Sequence, residues 1–121
     1  FAQIARALQI MQTRYQQHME VADLAREVGM SSANFHARFK AVTQSSPMQY
    51  LKSLRLHQAR LLMVRQGFSA VAASAETGYE SPSQFSREFK RFFGRSPQQE
   101  AQYMQEILRL EPACSLAGSY Q

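Results

Sequence analysis

The sequence predicts an all-α protein of about seven helices, in which two helix-turn-helix subdomains are joined by a long linker helix. Apolar residues recur at helical spacing in successive segments. In addition, Phe-x-x-x-Phe-Lys followed by Ser-Pro occurs twice, and the second copy keeps a constant offset from the first (85 − 35 = 50 for Phe, 97 − 47 = 50 for Pro). Because Lys, Ser and Pro recur with Phe, a duplicated structural unit is favoured over chance phenylalanine spacing.

The first subdomain, residues 1–46, is predicted to hold three helices. The first ends near His18, and its apolar stripe comprises Phe1, Ile4, Leu8, Met11 and Tyr15. A short helix follows, with Val21, Leu24, Ala25 and Val28 at helical spacing. Gly29 stands where a left-handed C-cap is needed, and Ser31 or Ser32 can cap the third helix. That helix is expected to bury Phe35, Phe39 and Val42.

Residues 47–66 form the predicted linker helix. Pro47 suits a first helical position, and no glycine or further proline occurs before Gly67. One side of this helix is expected to hold Met48, Leu51, Leu54, Gln58, Leu61 and Leu62. Its cations are Lys52, Arg55, Arg60 and Arg65, and the segment contains no acid to pair with them.

The second subdomain, residues 67–111, repeats the helix-turn-helix pattern. Ser69 can cap a helix running to Thr77, Gly78 ends it, and Ser81 can cap the next. That helix is expected to bury Phe85, Phe89, Phe92 and Phe93. The two glycines differ by 49 where the phenylalanines differ by 50, so the second turn is expected to be one residue longer. A last helix is predicted from Pro97, stopping before Pro112, and residues 112–121 are predicted to form a flexible tail.

The charge balance suggests a polyanionic partner. The net charge is +5 and the sequence pI is about 9.8, and no Asp or Glu occurs from Val28 to Ala75. A solvated basic face remains the alternative. Cys114 is the only cysteine, which excludes an internal disulfide and fits a reducing cytosol. No stretch has the length and apolar character of a membrane span, and no signal peptide is recognisable. The first residue is Phe1, so we expect a piece of a longer protein.

Several motifs together resemble one family. They are Ala25-x-x-x-Gly29-Met30-Ser31, Ser46-Pro47-x-x-Tyr50, Arg55-Leu56-x-x-Ala59-x-x-Leu62, Gly78-Tyr79-Glu80-Ser81 and Phe85-Ser86-Arg87-x-Phe89-Lys90. From Val21 to Pro97 the chain resembles the DNA-binding module of AraC/XylS-family bacterial transcription regulators. The resemblance implies a double-stranded DNA operator, contact with RNA polymerase, an effector or dimerisation domain N-terminal to this segment, and a place in the bacterial cytoplasm at the nucleoid. It implies no cofactor and no metal.

The resemblance also implies roles for particular residues. The base-reading candidates are Ala33, His36, Ala37, Ser83, Ser86 and Arg87. The phosphate-contact candidates are Ser32, Arg38, Lys40, Lys52, Arg55, Ser81, Lys90 and Arg91. Arg38 is expected toward the buried side of its helix, with its stem packed on the core.

Two positions depart from the family pattern. Ala37 stands where the family often has Arg, which puts guanine reading by the first copy in doubt. Glu100 stands where Ser-Pro-x-x-Tyr would place a tyrosine, and Tyr103, one turn later, could take over that packing.

Two other functions fit the sequence less well. An enzyme is not expected, because His18, His36 and His57 fall on different predicted segments and Cys114 has no partner in sequence. A helical adaptor with a basic face for an acidic protein is the alternative function. The uncharged Ala33, Ala37 and Ser83 fit close approach to a DNA groove better than an ion-pairing surface.

Overall fold

The computed structural model of the chain describes residues 1–110, and within that range the chain forms seven helices and no strand. The helices are α1 (Ala2–Arg14), α2 (Val21–Glu27), α3 (Ser32–Thr43), α4 (Pro47–Gln66), α5 (Ala70–Glu76), α6 (Pro82–Phe93) and α7 (Pro97–Leu110). This confirms the all-α fold class with two helix-turn-helix units on either side of a long helix. The tail predicted at residues 112–121 lies outside the described part. None of the seven helices is long and apolar enough to cross a membrane.

The predicted helix signals act where the sequence places them. The hydroxyls of Ser31, Ser69 and Ser81 each accept a hydrogen bond from the backbone N–H three residues later, as predicted. Ser46, which was not predicted as a cap, does the same for α4. Gly29 and Gly78 both have positive φ, 76° and 96°, and the turn before α6 is one residue longer than the turn before α3. The predicted end of the first helix near His18 is wrong: α1 ends at Arg14, where Gln17 N–H donates to the Arg14 carbonyl and turns the chain.

Helix α4 belongs to two cores. The first core gathers α1, α2, α3 and the start of α4 around Phe35, Phe39 and Leu51. The second gathers α5, α6 and the later part of α4 around Leu56, Phe85 and Phe89. At about 100° per residue, Leu51 and Leu56 point about 140° apart. The prediction of one apolar side along α4 is therefore wrong, and Met48 is exposed.

Three residues predicted to be buried are exposed. Val42 and Phe92 occupy equivalent positions in the last turns of α3 and α6, and are 40% and 47% exposed. They lie on the same side as the buried phenylalanines but one turn nearer the helix end, where the core has ended. Phe92 instead packs edge-on against His57, with ring centroids 5.2 Å apart. Phe1 precedes α1 and is exposed.

The last helix docks through Glu100, which is 5% exposed. Its carboxylate accepts hydrogen bonds from Arg60 Nε on α4 at 2.6 Å and from Arg95 Nη1 at 2.7 Å. Tyr103 does not take over the missing tyrosine's packing: it remains exposed and lies against the Arg95 guanidinium, 3.7 Å from the ring centroid. Burial by itself would raise the pKa of Glu100, but the two arginines outweigh it and hold that pKa below its ordinary value.

Candidate nucleic-acid interface

The exposed face of α3 carries the first set of predicted base-reading residues. Ala33, His36 and Ala37 are all exposed, while Phe35 and Phe39 on the opposite side are fully buried. The cap by Ser31 fixes the start of α3, and the two phenylalanines fix its rotation. The result is a short outward face of small side chains with one imidazole.

The exposed face of α6 repeats this arrangement with different chemistry. Ser83 and Arg87 are exposed and Ser86 is half-buried. Phe85 and Phe89 are buried beneath them, and Ser81 caps the helix. Arg87 occupies the position that Ala37 has in α3, so only the second face presents a guanidinium there.

Four of the predicted phosphate-contact cations are available on this surface, together with the base-reading candidate Arg87. Arg38 and Lys40 on α3, and Arg87, Lys90 and Arg91 on α6, are exposed and form no ion pair within residues 1–110. The expectation that Arg38 lies toward the core is wrong. Ser32 is exposed at the start of α3, and Ser81 is half-buried with its hydroxyl oxygen occupied by the cap.

Three of the four cations of α4 are engaged within the protein, whereas Arg65 is exposed and forms no ion pair within residues 1–110. Lys52 Nζ lies 3.5 Å from Glu88, and Arg60 binds Glu100. Arg55 donates from Nε to the Tyr15 carbonyl and from Nη2 to the Gln17 carbonyl. The linker helix contains no acid, but α6 and α7 supply acids to two of its cations. For Lys52 and Arg55 this geometry favours a structural role over the predicted phosphate contact.

Glu88 organises the inner edge of α6 and is not among the predicted site residues. Its carboxylate accepts hydrogen bonds from the Tyr79 hydroxyl at 2.7 Å and from Gln84 Nε2 at 3.0 Å, and pairs with Lys52. Burial would raise the pKa of Glu88, but these donors hold that pKa below its ordinary value. Burial and the hydrogen bond to Glu88 raise the pKa of Tyr79. The repeat could have pointed to Glu88, because Glu88 in α6 and Arg38 in α3 occupy equivalent positions but have opposite charges.

The described residues contain no candidate metal cluster, and their histidines lie apart. Among them no group of three His, Cys, Asp or Glu side chains is placed to hold a metal ion. His18 pairs with Glu20 at an exposed position, and His57 packs against Phe92 and Phe93. His36 lies on the face of α3. The three histidines therefore occupy separate surroundings.

Comparison with known proteins agrees with this geometry. A family model described as a helix-turn-helix domain matches residues 24–103. The lactose operon transcription activator of Staphylococcus xylosus is 30% identical over 90 residues, covering 74% of this chain and 32% of that protein. The transcriptional regulator ExsA of Pseudomonas aeruginosa is 29% identical over 92 residues, covering 76% and 33%. The chain thus spans about a third of the length of these relatives.

Solved structures share the whole arrangement. A transcriptional regulator with an AraC-type DNA-binding domain from Chromobacterium violaceum superposes with a TM-score of 0.79 at 25% identity, covering 85% of this chain and 92% of that one. The DNA-binding domain of the global transcriptional factor AdpA, in complex with a target DNA, also gives 0.79, at 28% identity, covering 90% and 96%.

Proposed function

The chain belongs to the AraC/XylS family of bacterial helix-turn-helix regulators, and from this premise we propose that it binds double-stranded DNA sequence-specifically through two recognition helices. Helices α3 and α6 enter successive major grooves on one side of the duplex. The chain acts as the DNA-binding module of a transcription regulator.

The observation that carries this proposal is the repeated outward face of α3 and α6. Each face has small or hydrogen-bonding side chains in its first two turns, and beside them cations that form no ion pair within residues 1–110. An α-helix fits the major groove of B-DNA, about 12 Å wide, and small residues permit close approach to base edges. An adaptor for an acidic protein would gain nothing from uncharged residues at the centre of its basic surface.

The two faces are assigned different reading chemistry. Arg87 donates to guanine O6 and N7 as a bidentate pair, with Ser83 and Ser86 beside it. On α3, Ala33 and Ala37 offer only apolar contact, such as with a thymine methyl group, and His36 supplies a hydrogen bond. A single chain therefore reads a site without two-fold symmetry.

The phosphate contacts are assigned to the exposed cations. Arg38, Lys40, Lys90 and Arg91 neutralise phosphates and fix the register, and Ser32 and Ser81 add hydrogen bonds near the helix starts. Lys52 and Arg55 are assigned to holding the two units together. Contact with RNA polymerase, an N-terminal effector or dimerisation domain, and action at the bacterial nucleoid belong to the full-length regulator that we propose contains this chain.

Footprinting on genomic fragments tests the geometry. One chain should protect two major-groove segments separated by about one helical turn, about 34 Å, and the protected sequence should not be palindromic. Protection of one segment alone would contradict the use of two recognition helices. Equal protection of all fragments would contradict sequence specificity.

A further inference from the structure

The two helix-turn-helix units touch at one unusually close point. Gly78, the turn glycine between α5 and α6, faces the loop that follows α1. A Cβ atom built on Gly78 would lie 2.9 Å from the Gln16 carbonyl oxygen and 3.0 Å from that of Tyr15. Gly29, the equivalent turn glycine of the first unit, has only Gln3 Nε2 within 4 Å of such a Cβ, at 3.8 Å. Both glycines have positive φ, so they differ in this approach and not in their turn conformation.

Arg55 holds the same loop through two hydrogen bonds. Its Nε donates to the Tyr15 carbonyl at 2.7 Å and its Nη2 donates to the Gln17 carbonyl at 2.8 Å. The loop residues on either side of Gln16 are therefore fixed by one side chain, while Gly78 packs on Gln16 itself. Burial lowers the pKa of Arg55 below its ordinary value, partly opposed by nearby Glu88 and Tyr79.

The position of Arg55 on α4 makes this contact consequential. Arg55 lies between Leu51, which belongs to the first core, and Leu56, which belongs to the second. A twist of α4 within this segment would rotate one unit against the other without opening either core. Beside the contact the units are separated by a cleft of about 430 Å³, lined by Met48, Lys52 and Gln84 among others. The loop contact therefore resists a motion that the cores do not oppose.

We propose that Arg55, Gly78 and the carbonyls of residues 15–17 form a clamp that fixes the angle between α3 and α6, and so restricts the chain to DNA half-sites at one spacing. Only the second part of this inference, the restriction to one half-site spacing, rests on the proposed function. The first part, the fixed angle between α3 and α6, concerns the free protein, so the two parts can be tested separately.

The first test measures the angle without DNA. Spin labels on Gln9→Cys in α1 and Val71→Cys in α5, both exposed positions, report the distance between units, with Cys114→Ser removing the only native cysteine. The parent should give a narrow distance distribution. Gly78→Ala and Arg55→Lys should broaden or shift it, because a lysine ammonium cannot reproduce the two-pronged donation of Arg55. Gly29→Ala is the matched control, with the same positive φ and open space for its Cβ, and should leave the distribution as it was.

The second test measures half-site spacing. The probe is a duplex selected by the parent chain from a randomised pool, remade with one base pair inserted or removed between its halves. Each base pair rotates the second half-site by about 35° and moves it about 3.4 Å. The parent and Gly29→Ala should lose on the order of tenfold or more on the altered duplexes. Gly78→Ala and Arg55→Lys should bind the original duplex more weakly and discriminate among spacings less.

The outcomes separate the two proposals. Unchanged distance distributions in folded Gly78→Ala and Arg55→Lys would overturn the clamp, whatever DNA does. Failure to select any duplex would overturn the proposed function and leave the distance result to decide the clamp. If folded Arg55→Lys and Gly78→Ala keep the parental affinity and spacing preference, the restriction to one half-site spacing is overturned. Circular dichroism on each variant establishes that the compared proteins are folded.

Discussion

At the scale of single residues, the two recognition faces differ most at one pair of equivalent positions. Arg87 is exposed on α6, and Ala37 is exposed at the matching place on α3. A guanidinium can make a bidentate contact that distinguishes guanine from the other bases, whereas a methyl group cannot. The second half of the site should therefore show the stronger single-base preference, with His36 giving a weaker preference in the first half.

Arg87→Ala should weaken binding by about 1–3 kcal/mol and relax preference at one base pair only. His36→Ala should act in the other half-site with a smaller loss, because an imidazole offers one hydrogen bond at a time to a base. The measurement is binding of both single variants and the double variant to a library of site variants at fixed salt.

Arg91→Ala provides the comparison, since Arg91 is an exposed cation on the same helix assigned to phosphate. Its loss should be uniform across the library. A uniform loss for Arg87→Ala would make Arg87 a phosphate contact as well. The losses of the two recognition variants should add, because the helices would lie about one DNA turn apart and share no partner; strong non-additivity would contradict independent reading.

At the scale of helices, the sequence predicted what depends on local pattern. Ser31, Ser69 and Ser81 cap their helices, and Gly29 and Gly78 adopt left-handed turns, because these signals act within a few residues. The fully buried phenylalanines of α3 and α6 followed from helical periodicity. The same periodicity wrongly predicted that Val42 and Phe92 are buried. It indicates on which side of a helix a residue lies, but not where the neighbouring core ends.

The candidate site, too, could be predicted from the sequence only in part. The outward faces of α3 and α6 followed from the helical period, but their use in DNA binding came from the family resemblance. Neither the helical period nor the family resemblance predicted which cations form ion pairs or hydrogen bonds within residues 1–110. Lys52, Arg55 and Arg60 are engaged by groups from 36 to 40 residues away in sequence, and no local pattern reports such pairings.

The docking of α7 gives a prediction at this scale. Glu100→Gln should lower the free energy of unfolding by about 2–3 kcal/mol at neutral pH, because Arg60 and Arg95 lose a charged partner in a largely buried position. The folded-state pKa of Glu100 is lowered, so its stabilisation is present above the ordinary carboxyl value near 4.5 and is lost as pH falls through the lower folded value.

Urea unfolding at several pH values measures this effect. The difference between the parent and Glu100→Gln should be constant above about pH 5 and shrink at lower pH. Glu106→Gln is the control on the same helix, at an exposed position without an ion pair in residues 1–110, and should differ little from the parent. A difference between parent and Glu100→Gln that stays constant down to pH 3 would contradict the ion-pair account.

At the scale of the whole molecule, ion pairing divides the excess positive charge into two parts. Lys52, Arg60 and Arg95 pair with acids of the second unit, and Arg55 binds backbone carbonyls. Arg38, Lys40, Arg87, Lys90 and Arg91 remain exposed on the two recognition helices. Arg6, Arg65 and Arg109 are also exposed without an ion pair in residues 1–110, so the recognition helices hold five of the eight exposed cations that form no ion pair there.

This division predicts the salt dependence of DNA binding. Each phosphate neutralised contributes about −0.9 to the slope of log K against log salt, so the four cations assigned to phosphates, Arg38, Lys40, Lys90 and Arg91, correspond to a slope of about −3.6. Lys40→Ala and Lys90→Ala should each reduce the magnitude of the slope by about 0.9 and weaken specific and non-specific DNA alike. The double variant Lys52→Met with Glu88→Gln removes an internal ion pair without changing net charge, and is the matched control: its slope should equal the parent's. A parental slope in Lys40→Ala, or a reduced slope in the control, would show that the charges seen by DNA are not those left unpaired in the free protein.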